Sequence, residues 1–460
     1  MPPAPQLLVR LLLCTALLVL CRNAAAEGVA SPEAQRGLHL LLNKAYVPPA
    51  FDQQTFDEAW QFWEEPARSQ AAAADPDQRR RLAFVRYGLT PRPEDPTKPM
   101  QYVVDDAGVW TLNCFGCHQG SAAGVAHPGT PNAQFALETL VNDVRLAKLR
   151  QRKKLTDLDI GSMMMPLGTT VGTTNAVMFG VGLMHYRDDD LNIVRKLQPP
   201  RMVHHDHDAP PWWNTSRKQR LYIDNFAPRG HRALMQFIAS EENGPEKFRE
   251  WEDDYRHIEA YIDSLEPPPY PFAIDTPLAD QGRVVFENHC ARCHGTYGPG
   301  GEYPELIIPI EEVGTDRVRL DSLTVEHRAG YGRNWINEYG AKGEVVADPG
   351  GYLAPPLDGI WATAPYFHNG SVPTLWHVLR PDERPAVWRH PDDPADYDQQ
   401  RVGLPVETFD ELPADTITSF AVQRRYFDTG VTGKDAGGHT FPASLTEDEK
   451  RTLLEYLKTL

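Results

Sequence analysis

Two short stretches of this chain repeat one pattern of reactive side chains: Cys114-Phe115-Gly116-Cys117-His118 and Cys290-Ala291-Arg292-Cys293-His294. Two thiols one helical turn apart can add to the two vinyl groups of a single porphyrin, and the histidine that follows is then held under the iron. C-x-x-C-H is therefore the attachment pattern of a c-type haem. The chain has six cysteines, and the remaining two, Cys14 and Cys21, fall in the first 26 residues. Every other cysteine is thus accounted for by two covalent haems c. The competing reading of each pair, a redox disulfide or half of a zinc site, gives no reason for the histidine.

With His118 and His294 as one axial ligand each, the sixth positions decide the chemistry. The last methionine is Met235, so the second half cannot use a His/Met pair. Its candidates are His289, His327, His368, His377, His390 and His439. His439, on the flexible glycine loop Gly437-Gly438 shortly before the last helix, is the expected ligand, and His368 is second. In the first half, Met163, Met164 and Met165 are expected to fill core rather than ligate. Trp212 and Trp213, which follow two prolines, offer flat π systems to lie beside or between haems, or else to fill core.

The elements that must position these groups read as mainly α, with long loops and few short strands. The 41 prolines and 34 glycines suit chain that wraps cofactors. Helices are expected from residue 32 to residue 90, the first with a Ser31 cap, and a hairpin over 101–112 turned at Asp106-Ala107-Gly108. Pro267-Pro268-Pro269 ends a helix and starts a linker. A weak internal repeat aligns Ile258–Leu265 with Leu453–Leu460, Tyr261 falling on Tyr456, as if each haem motif had its own closing helix. The expected division is a signal peptide over 1–26, an N-terminal haem domain over 27–266, a Pro-rich linker over 267–275 and a C-terminal cytochrome c domain over 276–460. The leader has Arg10 before an apolar run and Ala24-Ala25-Ala26 after it, which predicts a periplasmic or secreted protein without stable membrane insertion. Its removal takes away Arg10 and Arg22 and no acid, so a net charge of −17 becomes −19. Such a charge excludes nucleic acid as partner and suits a small basic redox protein or another electron donor.

Further residues carry a resemblance. LAPPLDGIWATAPYFHNGSVPTL over 353–375, NCFGCHQG with HPGTPNAQFALETL, and DAPPWWN with LYIDN resemble the dihaem cytochrome c peroxidase superfamily, closest to its rubber oxygenase-like branch. The resemblance implies an N-terminal haem open to O₂ or H₂O₂ and a C-terminal haem with two protein ligands, bis-His in the rubber oxygenases. It also implies either a distal base among His204, His205 and His207, just before Ala209-Pro210-Pro211, or an apolar pocket with Phe237 as its distal residue. Where peroxidases have Phe-Trp-Asp-Gly between the haems, this chain has Tyr222-Ile223-Asp224-Asn225, so Trp212, Trp213 or Tyr222 would replace that tryptophan. The expected function is an exported dihaem oxidoreductase, with calcium undecided. The alternative is a pure electron carrier with both irons six-coordinate, the first closed by one of the three histidines.

Overall fold

The computed structural model describes residues 31–194, 203, 205–338 and 344–460. The leader and His204 lie outside them. Helix predominates in a mixed structure, 43% helix to 11% strand, and the strands form small two- and three-stranded antiparallel sheets. The expected "mainly α" is therefore coarsened to mixed with helix in excess, because the long connections pair with each other where they cross.

Two helix crossings organise the chain. Helix Pro32–Asn43, capped by the Ser31 side chain on Ala34 N–H at 3.1 Å, packs on helix Pro245–Asp263. Helix Thr276–His289 packs on helix Glu447–Leu457, which starts with the Thr446/Glu449 capping box. Each crossing is close because a glycine sits at it. A Cβ on Gly37 would strike the carbonyl of His257 and the Cβ of Tyr261, and one on Gly282 would strike the carbonyl of Thr452 and the Cβ of Tyr456. Those contacts fall at matching positions of the aligned helices, so the weak sequence repeat corresponds to one packing solution used twice.

The hairpin forms as Tyr102–Val104 and Val109–Leu112, with Gly108 at φ 75° in its turn. Strand Phe51–Asp52 adds a third strand that alternation in so short a segment could not signal. The apolar stretch 161–186 becomes two helices, Asp157–Met164 and Ala176–His185. Met163 and Met164 are 65% and 85% exposed, so these two do not fill core. Residues 267–275 are without helix or strand and rest on the C-terminal half: Trp361 Nε1 donates to Pro268 O at 2.9 Å, and Tyr270 and Phe272 pack on Trp361 and Tyr397.

Candidate functional site

At the first motif, Asn113 sets the entry into helix Phe115–His118. Its side chain accepts the Phe115 N–H at 2.9 Å and donates to Leu41 O and Met100 O, tying the motif to the first helix and the hairpin. Asn132 Nδ2 donates to Gly116 O at 3.1 Å and to Gly88 O at 2.9 Å. Phe115 is fully buried against Trp212 and Tyr261. The second motif follows directly from helix Thr276–His289, and helix Ala291–His294 is closed by Gly295 at φ 83°.

The four motif cysteines, Cys114, Cys117, Cys290 and Cys293, are each partly buried. Burial pushes Cys114 up to about 11 and Cys117 and Cys290 up to about 12. A redox C-x-x-C pair works through a depressed thiol, the opposite of the direction in which burial moves these three. The sites suit thiols held in an apolar cleft for covalent attachment.

Both motif histidines are oriented alike. His118 Nδ1 donates to Pro210 O at 3.1 Å, and His294 Nδ1 donates to Pro355 O at 2.8 Å. A carbonyl can only accept, so the proton belongs on Nδ1 and Nε2 keeps its lone pair for a metal. Burial holds His118 down to about 4 and His294 below its ordinary value, which keeps both rings neutral. The two acceptors stand in the same tripeptide, Ala209-Pro210-Pro211 and Ala354-Pro355-Pro356. This second repeat was legible in the sequence but passes unnoticed there, because nothing in A-P-P suggests a partner for histidine.

The structure brings His439 to His294, with ring centres 6.2 Å apart and planes at 65°. Two imidazoles bound to opposite faces of one metal ion at roughly 2.0–2.1 Å bring their centres to about 6 Å, so the pair fits a single iron between them. His439 is not on a flexible loop. Its backbone is in the left-handed region at φ 45°, its N–H donates to Val313 O, and Arg384 donates to the carbonyls of Ala436, Gly438 and His439. Gly438, at φ 72°, lies so close on Gly314 that a side chain would not fit. Burial, with the Arg384 charge nearby, holds His439 down to about 3.

Of the other sequence candidates, His368 sits beside Tyr352, ring centres 4.7 Å apart, and burial with the Arg319 charge holds it down to about 3. His377 bonds Thr374 within its own helix cap. His205 and His207 are buried with ring centres 4.4 Å apart. His207 pairs in a two-stranded sheet with Thr174, which hydrogen-bonds the Cys117 thiol. Phe237 is 43% exposed on the turn Met235–Ile238, and that turn sends Gln236 inward to Tyr222 instead.

Trp212 stacks on His118, ring centres 4.6 Å apart and planes at 22°. Trp213 Nε1 donates to Asp358 O at 2.7 Å and Asn214 Nδ2 to Pro356 O at 2.9 Å. The stretch 209–214 therefore touches the first histidine at one end and, at the other, the segment that orients the second.

A family model described as "RoxA-like, cytochrome c-like" matches residues 351–389. Residues 351–389 are thus similar to a RoxA-like cytochrome c domain. Such a domain implies covalently attached haem c and points to a haem-based oxidoreductase. The matched segment holds Pro355, Phe367, His368 and Arg384, that is, the carbonyl on His294 and the cation behind His439. The chain is also 31% identical over 238 residues to the uncharacterized protein y4iM of Sinorhizobium fredii (strain NBRC 101917 / NGR234), which covers 43% of this chain and 52% of that protein. The uncharacterized protein y4iJ of the same strain is 30% identical over 261 residues, 43% of this chain and 41% of its own length. The chain thus spans about half the length of the curated relatives it matches. Among the described residues no helix is long and apolar enough to cross a membrane.

Proposed function

We propose that this protein is an exported dihaem c-type cytochrome that works as an oxidoreductase. Cys114, Cys117 and His118 would hold a haem open to oxygen or peroxide, and Cys290, Cys293 and His294, with His439, would hold a second that supplies or stores electrons. The observation that carries the reading is the unlike pairing of two alike histidines: His294 faces a second imidazole at 6.2 Å, whereas among the described residues the ring partner of His118 is Trp212. A bound haem supplies one-electron chemistry, and takes O₂ or H₂O₂ where an axial position is free. The chain's residues do the rest. Pro210 O and Pro355 O hold each ring in its metal-binding tautomer and strengthen it as a donor. Arg384 keeps the His439 loop in place. Trp212, Trp213 and Asn214 connect the two histidine surroundings by stacking and hydrogen bonds, the short contacts an electron passing between haems needs. For peroxide, His207 or His205 is the base that takes a proton. Both are buried and His207 adjoins Thr174 at Cys117, which favours them over the exposed Phe237.

Haem load tests this reading. The mature protein should carry two haems per chain that resist acidified organic solvent, and Cys114→Ala with Cys117→Ala should leave one. Its ferrous form should bind CO at the His118 haem. Haem that extracts freely, or a protein that retains four titratable thiols, would overturn it.

A further inference from the structure

The first motif packs on a group of oxidisable rings. Helix Pro245–Asp263 buries Trp251 and Tyr255 one turn apart, and Tyr46, just after helix Pro32–Asn43, closes on both. The Tyr46 ring centre lies 5.2 Å from that of Tyr255 and 5.3 Å from that of Trp251, each pair edge to face. Cys114 packs on the same cluster and lies within electrostatic reach of both tyrosines. Buried rings alone are ordinary core. The polar groups around these three sort them by chemistry. Tyr46 O–H donates to Asp254 Oδ2 at 3.0 Å, and Lys44 Nζ donates to the same oxygen. Burial, with the Asp254 charge, pushes Tyr46 well up, so the phenol keeps its proton at rest. The Asp254 side chain is 17% exposed and that of Lys44 38%, so a proton taken by Asp254 can pass to water while the ammonium stays solvated. Among the described residues no carboxylate accepts the Tyr255 hydroxyl. Trp251 has the ammoniums of Lys44 and Lys247 at 5.8 and 5.3 Å from its ring, which disfavour further positive charge there. Of the three rings, Tyr46 is the one that can give up an electron and remain uncharged, because a proton acceptor stands within hydrogen-bond reach.

We propose that Tyr46 is a one-electron donor to the first site by way of Tyr255, and so a route by which an oxidising equivalent produced there leaves for the surface. The oxidant is hydrogen peroxide. Its O–O bond breaks as it takes two electrons, and two protons from solvent complete two water molecules. One electron comes from the store at the second motif. The other comes from Tyr46: its O–H bond breaks, the electron moves inward past Tyr255, the proton goes to Asp254 Oδ2, and a neutral tyrosyl radical remains. The proposal rests on the haem reading above, since a bound haem supplies the one-electron chemistry.

The test is electron paramagnetic resonance of haem-loaded protein holding one electron, frozen immediately after mixing with one equivalent of hydrogen peroxide. The wild type should give a tyrosyl signal whose lines narrow when the protein is made with ring-deuterated tyrosine. Tyr46→Phe removes one hydroxyl and leaves Asp254 to Lys44, so it should fold, keep its haem and lose the signal. Asp254→Asn still accepts a hydrogen bond but takes no proton, and it should lose the signal too. A wild type without a tyrosyl signal would overturn the proposal, as would a signal that survives in Tyr46→Phe or in Asp254→Asn. A signal that vanishes only in Tyr87→Phe, where the hydroxyl donates to Asp143 at 2.8 Å, would place the radical elsewhere and refute the assignment. Haem-loaded protein that leaves peroxide unconsumed fails the functional reading and this one together. Protein that consumes peroxide and forms no radical at Tyr46 fails this one alone. If Tyr46→Phe does not fold, Asp254→Asn decides.

Discussion

On the proposed reading, His439 shows how one side chain is made into a ligand. Its own residue type is unremarkable for a loop; what qualifies it is that Val313 O, Gly314 and Arg384 fix the backbone so that the ring faces His294. His439→Ala should convert the second haem from low to high spin and raise its potential, because a strong-field imidazole is lost; low-temperature electron paramagnetic resonance would record the change. His368→Ala should leave that spin state alone, since the His368 ring lies on Tyr352. A spin change with His368→Ala and none with His439→Ala would reverse the assignment. The C-x-x-C-H motifs and the nearness of His439 to the second of them were legible because both rest on local spacing and on the missing methionines. Arg384, Pro210 and Pro355 were not, since each acts across more than fifty residues of chain through a backbone carbonyl.

At the scale of elements, the two glycine crossings hold the helix pairs Pro32–Asn43 with Pro245–Asp263 and Thr276–His289 with Glu447–Leu457, of which Thr276–His289 leads directly into a motif. Gly282→Ala should destabilise the fold by about 2–3 kcal/mol in denaturant unfolding, because the new methyl must displace the Thr452 carbonyl of the crossing helix. Gly330→Ala is the control. Its helix Val325–Arg333 leaves space for a Cβ, nearest Arg333 Nη2 at 3.7 Å, so it should stabilise by up to about 1 kcal/mol. Equal losses for both would mean that the crossing does not matter. The amphipathic closing helices could be aligned from sequence because tyrosine and leucine recur at fixed helical positions. Their partners could not be matched, since Gly37 and Gly282 are single small residues whose meaning appears only when another backbone touches them. The small sheets escaped for a related reason: strands of two to four residues, such as Phe51–Asp52 and His207–Asp208, have too few alternations to read.

For the whole molecule, a net charge of −17 suits the proposed docking of a basic electron donor, and on that reading the stretch 209–214, which reaches from His118 to the Asp358 region, is the route inward. The central claim is that the two haems differ in one axial position, and the electron paramagnetic resonance spectrum of the fully oxidised protein tests it most directly. The account predicts a low-spin signal from the His294–His439 haem beside a high-spin signal from the His118 haem, in equal amounts, with cyanide converting only the second. Two low-spin signals unaffected by cyanide, in a protein that binds no CO when reduced, would contradict it and identify an electron carrier.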